Sequence, residues 1–215
     1  MKKLLSAVCG LLIWASVTPA ATITYSASDS TAVTPDTFSF DLQQFDTSLG
    51  TLNSITIQFD VLVSGEFSVQ NGNPTNGGTL TGTLTSDFSL VGPGGLGTLG
   101  TLSPSTSLGS HVIAPASTYL FSVLGTSASD SYAVSLADFG LFVGGGTVNF
   151  TSAFSSFTSP VANFTPIVFL QDLFGQANVS ITYDYSASDV PEPATFAIAG
   201  VGLAVIAIAR RRRSC

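Results

Sequence analysis

The chain has 215 residues, enough for one domain plus targeting segments, and a formal net charge of −7 at pH 7. Every Lys and Arg lies at an end, while the middle carries one histidine, His111, and the acids Asp29, Asp36, Asp41, Asp46, Asp60, Glu66, Asp87, Asp130, Asp138, Asp172, Asp184 and Asp189. Such a body cannot neutralise phosphates, which excludes nucleic acid as a partner, and lacking Lys and Arg it cannot be held together by their salt bridges. Stability must come from apolar burial and backbone hydrogen bonds.

Residues 1–21 read as a secretory signal peptide. Lys2 and Lys3 form the charged start, residues 4–15 the apolar stretch, and Thr18, Pro19, Ala20 and Ala21 the small-residue region for signal peptidase. Cleavage is expected after Ala20 or Ala21. Cys9 lies within this segment, and the stretch ahead of it, five residues from Leu4 to Val8, is too short for a lipoprotein signal. The other cysteine, Cys215, ends the chain and is expected to be discarded with the tail. The body therefore has no disulfide framework.

Residues 22–188 read as one extracellular all-β domain, an antiparallel β-sandwich of jelly-roll type. The clearest strand is 54–63, where Ile55, Ile57, Phe59, Val61 and Val63 alternate with polar residues. Shorter strands are expected at 38–42, 119–124, 132–136 and 147–151, and a further alternating one at 179–186. Turn signals separate them: Asn71-Gly72-Asn73-Pro74, Asn76-Gly77-Gly78, Gly92-Pro93-Gly94-Gly95 and Gly144-Gly145-Gly146. Short strands with Gly and Pro punctuation are the pattern of a sandwich. Residues 92–109 are expected to form a long loop, and 161–175 fit either a strand or a short helical turn.

Candidate chemistry in the body is sparse. His111 is the only imidazole, no G-x-S-x-G elbow accompanies it, and an ordinary edge or loop histidine is the favoured reading. A histidine- or cysteine-based metal site is ruled out by number. Calcium suits the aspartates better, but they are singly spaced and form no D-x-D-x-D-G loop, so solvated surface acids are preferred. No spacing singles out a carboxylate pair for glycoside hydrolysis. Thr79, Thr81, Thr83 and Thr85 alternate and would line one face of a strand, a surface suited to polysaccharide or ordered water, or simply to solvent. No catalytic, cofactor-binding or metal residue is therefore assigned.

The tail is far more specific. Val190-Pro191-Glu192-Pro193 is a stiff, extended strip, because two prolines fix the backbone and remove amide donors. Residues 194–209 are an uncharged run reaching about 24 Å, a marginal membrane span against a hydrocarbon core of about 30 Å. Arg210, Arg211, Arg212 and Arg213 then hold that end in the cytoplasm, as Lys2 and Lys3 do in front, so the body must lie outside. This three-part arrangement over residues 189–213 resembles the PEP-CTERM sorting signal. That resemblance implies a single C-terminal transmembrane helix that anchors the chain transiently, and processing by exosortase, a membrane cysteine protease. It further implies an exopolysaccharide-producing Gram-negative bacterium and delivery to the cell surface or extracellular matrix.

A second resemblance rests on Phe45-Asp46, the following Leu49-Gly50-Thr51-Leu52 and the closing run 181–185, which are similar to the choice-of-anchor E domain. It implies a surface domain without known catalytic residues. The expected protein is thus a non-enzymatic envelope or matrix protein with exosortase and signal peptidase as processing partners and exopolysaccharide as a further one. The alternatives are a polysaccharide-, calcium- or ice-binding module and a secreted hydrolase.

Overall fold

The computed structural model describes residues 20–32 and 34–188. The expected signal segment up to Pro19 and the whole sorting tail lie outside these residues. Among the described residues the strands are β1 (Ala20–Thr31), β2 (Asp36–Gln43), β3 (Gly50–Asn71), β4 (Gly78–Val91), β5 (Thr98–Leu102), β6 (Ser105–Ile113), β7 (Thr118–Ala133), β8 (Thr147–Ala162) and β9 (Ile167–Ala187). No helix among them is long and apolar enough to cross a membrane.

The strands form two antiparallel sheets, β1-β9-β3-β7 and β2-β8-β4-β5, with β6 also paired to β4. The chain crosses between the sheets at every step except β4–β5–β6, where it stays in one sheet and β5 with β6 fills the single strand position beside β4. This is the jelly-roll order expected from the sequence. Alternation drives it: β3 buries Ile55, Ile57, Phe59, Val61 and Val63 and turns Thr56, Gln58 and Asp60 outward.

Two sequence expectations are corrected, and one left open between strand and helical turn is decided for strand. Residues 92–109 are not a long loop, because β5 and the start of β6 pair with β4 there; Gly and Ser hid the strands, which contribute few buried side chains. Residues 161–175 are the end of β8, a tight turn and the start of β9. The strand expected at 132–136 ends at Ala133, and Leu136–Phe142 is a 3-10 turn. Strand β1 went unnoticed although Thr22, Ile23, Thr24, Tyr25, Ser26 and Ala27 alternate, because the signal-peptide boundary masked that pattern.

The sandwich has two halves. Strand β1 pairs with β9 only from Ala20↔Ser186 to Thr31↔Gly175, and β2 with β8 only from Gln43↔Thr147 to Asp36↔Phe154. The half containing Ala20 and Ser188 is called proximal; the distal half continues without β1 and β2. At about 3.3 Å per residue, the 21 residues of β9 span about 70 Å from one end to the other.

Each half has its own core. The proximal one stacks Phe38, Phe88 and Phe154, with 4.7 Å between the Phe88 and Phe154 centroids, beneath Phe40, Phe59 and Tyr183. The distal one gathers Phe67, Val69, Leu80, Leu84, Phe121 and Leu173. Between them lies a seam of hydroxyls and glycines. Buried Ser86 donates to Ser156 Oγ at 3.0 Å, and the Thr106 and Thr126 hydroxyls bond across from β6 to β7. Gly65 has φ +129°, and a Cβ there would lie 2.3 Å from the Asp172 carbonyl oxygen. Gly175 leaves room for the Phe154 ring.

Candidate functional site

The residues that suggested the second resemblance form one corner at the proximal end. Phe45 is buried against Tyr183 and Tyr185, with centroids 5.6 and 5.3 Å away. Asp46 Oδ1 accepts from Ser48 N at 2.8 Å and caps the 3-10 turn Thr47–Leu49. That backbone bond, then the Ser48 hydroxyl, holds the Asp46 carboxyl below its ordinary value. Gly50, at φ +152°, lies so close to β9 that a Cβ would sit 2.0 Å from the Ser186 carbonyl oxygen. Leu49 O accepts from Ser188 N at 3.0 Å. The corner thus fastens the last described residue of the body, one position before the sorting tail begins.

Ala20 stands opposite Ser186 across the β1–β9 ladder. Both ends of the described body therefore emerge side by side. Ala20 and Ala21 belong to β1, so cleavage after either leaves the ladder from Thr22↔Asp184 onward intact. Residues Val190 to Pro193 and Arg210 to Arg213 lie outside the described residues.

The outer face of the β2-β8-β4 sheet is the main polar surface. Thr79, Thr81, Thr83 and Thr85 do occupy one outward row of β4, between Ser105, Ser107 and Ser110 on β6 and Phe157, Ser159 and Val161 on β8. Phe157 is the exposed aromatic on this face, flanked by hydroxyls. Toward the proximal end the face runs into a depression of about 430 Å³ lined by Gln44, Pro93, Leu141, Thr147, Asn149 and Thr151. Gln44 shapes it, donating to Leu141 O at 3.0 Å and accepting from Gly146 N at 3.1 Å. Asn149 donates to Ser39 Oγ and Asp41 Oδ1 at 2.8 and 2.9 Å. The lining offers amides and hydroxyls and no cation.

His111 lies on β6 where the open edges of the two sheets approach. Its ring packs against Tyr119 and Phe121, with centroids 4.5 and 4.8 Å away, and lines a depression of about 240 Å³ with Ser107 and Ser122. Among the described residues its contacts are this aromatic stack, and no hydrogen bond joins it to a hydroxyl or carboxylate. No group of three or more His, Cys, Asp or Glu side chains gathers among them either. Their acids are spread along the proximal strands and turns, apart from Glu66 and Asp172, which stand opposite each other on β3 and β9.

The fold is thus an all-β jelly roll whose two ends meet at one pole. The family model of the PEP-CTERM protein-sorting motif matches residues 189–213. The tail accordingly marks an exosortase-targeted protein exported toward the cell surface with a C-terminal membrane anchor. No curated protein matches the chain. Among solved structures, that of the infectious bursal disease virus Gx strain shares 10% identity over 80% of this chain and 37% of that one, with a TM-score of 0.20. The infectious bursal disease virus VP2 subviral particle shares 11% over 86% of this chain and 48% of that one, at 0.25. The chain spans less than half the length of either.

Proposed function

We propose that this is a non-enzymatic surface or matrix protein, exported by the Sec route with its leader cut by signal peptidase, held briefly by its tail helix and processed by exosortase beside Val190-Pro191-Glu192-Pro193. The host would be an exopolysaccharide-producing Gram-negative bacterium, and the body a choice-of-anchor E-like display domain. The observation that carries this reading is the Ala20↔Ser186 pairing. A membrane-tethered body with both processed ends at one pole presents its other pole outward, and either cut leaves its cores untouched. The engagement of His111 in an aromatic stack supports the non-enzymatic part.

The test is to express the chain with and without active exosortase and follow the mass of the C-terminal fragment. Loss of Arg210 to Arg213 only in the exosortase-positive cells is expected; an intact tail in both would sink the reading.

A second reading is favoured by the hydroxyl row and by exposed Phe157: the outer face of the β2-β8-β4 sheet binds a neutral polysaccharide. Sugar C–H faces stack on aromatic rings, while hydroxyls and amides match their polar edges. Binding to a glycan array that disappears in Phe157→Ala, without turnover of the glycan, would establish it; no binding, or binding indifferent to Phe157, would remove it.

A further inference from the structure

We propose that residues 167–174 of β9 form a self-association edge, on which a second copy of the chain docks as an antiparallel strand. Where β1 stops at Thr31↔Gly175, β9 passes from an inner strand to an edge, paired among the described residues only with β3. Its outward row there is apolar but for Asp172: Val168, Leu170 and Phe174 are exposed, Leu170 by 68%.

The distal half has three other strand edges, and each carries a feature that obstructs pairing. On β8, Pro160 lacks the amide donor. On β6 the register shifts opposite Gly82, and Gly109 adopts φ +70°. On β7 the regular stretch is cut to residues 118–123 by a register shift opposite Ser64 at the seam, where Gly125 adopts φ +51°. Bulges and prolines are how proteins keep edges single. Strand β9 runs through residues 167–174 in unbroken register with β3, and Asp172 is its only charge.

The occupant follows from shape and charge. A regular edge is complemented by backbone, so the partner supplies a strand. A two-fold axis through Gln171 pairs Val168 with the Phe174 position of the second copy and Phe169 with its Leu173 position. The same axis sets Leu170 opposite Asp172 and leaves the two Asp172 side chains diagonal, with Cα atoms about 7–8 Å apart. The segment is thus its own complement. The acidic proximal halves repel one another, which confines contact to the distal half, where Glu66 and Asp172 are the only carboxylates among the described residues.

Sedimentation velocity on the full chain in detergent micelles, across a wide protein concentration range, tests this. A monomer–dimer equilibrium is expected that tightens with salt, because screening removes repulsion between the acidic bodies. Leu170→Lys should weaken it by about tenfold or more, since an edge lysine blocks pairing. Leu120→Lys, at the same level on β7, should leave it within about twofold, and Asp172→Asn should tighten it by about threefold. Circular dichroism checks that each variant stays folded, and both leucines are already solvent-exposed. A monomer at all concentrations, equal weakening by the two lysines, or dimerisation indifferent to Leu170→Lys would overturn the proposal.

Discussion

The two halves of the sandwich solve the same folding problem with different surfaces. The proximal half has both sheets widened by β1 and β2, holds the stacked phenylalanines, and carries nearly all the acids. The distal half is narrower and nearly uncharged. With the seam it shows eight of the ten large apolar side chains exposed among the described residues, from Val112 to Phe174. In the tethered form proposed above, the acidic surface would keep the pole next to the membrane soluble and away from anionic lipid. An uncharged, apolar-edged pole facing outward is suited to contact. One chain therefore separates acidic surface from exposed apolar surface along its length.

The largest effect expected concerns the proximal core. Phe154→Ala removes the centre of the ring stack and should cost about 3–5 kcal/mol in chemical denaturation, with the whole sandwich melting together. If only the distal strands lost protection, the order of dependence between the halves would be reversed. Gly65→Ala comes next. It puts a Cβ against β9 at a positive φ, where the cores separate, and should cost about 1–3 kcal/mol. Hydrogen exchange should quicken first in distal β3 and β9; uniform quickening would mean the seam is not a boundary.

Asn71→Ala probes the distal pole itself. Its fully buried side chain donates to Asn76 O and Ala114 O at 2.9 and 3.2 Å and accepts from Asn73 N at 2.9 Å. Losing these partners should cost about 1–3 kcal/mol, read by urea denaturation, with exchange accelerated in the turns around 72–77 and 114–117.

The smallest effects are expected from pH and fall on the proximal half. Asp36 is held below its ordinary value by the Thr31 hydroxyl and then Thr37 N–H, and Asp46 by Ser48. Depressed carboxyls stabilise the fold above their unfolded value of about 3.9, and that contribution is lost as pH falls below it. Burial, then Tyr25, raises the Tyr183 hydroxyl, which donates to Gln43 O at 3.0 Å. Its contribution is complete below about pH 10 and fades as pH rises further. Thermal melts should therefore decline at both extremes. Tyr183→Phe should flatten the alkaline decline, and Asp46→Asn part of the acid one.

Much of this protein is legible in its sequence alone. Period-two alternation in 54–63 and 179–186 announced the sandwich, because one face of each strand must be dry and the other wet. The C-terminal end announced sorting, since charge and apolar length are one-dimensional properties that the sorting machinery reads directly from the chain. Even the threonine row of β4 could be placed on one face by counting.

What the sequence could not give was anything that depends on where strands stop relative to one another. The seam is assembled from Gly65, Ser86, Thr106, Thr126, Ser156 and Gly175, residues distant in sequence that mean nothing until the register aligns them. His111 became a packing group only when Tyr119 and Phe121 closed on it across two sheets. The open edge of β9 exists because β1 ends at Thr31, a fact of strand pairing and loop closure rather than of local composition. Local pattern chose the strands, the faces and the destination; tertiary pairing alone decided which edge was left bare.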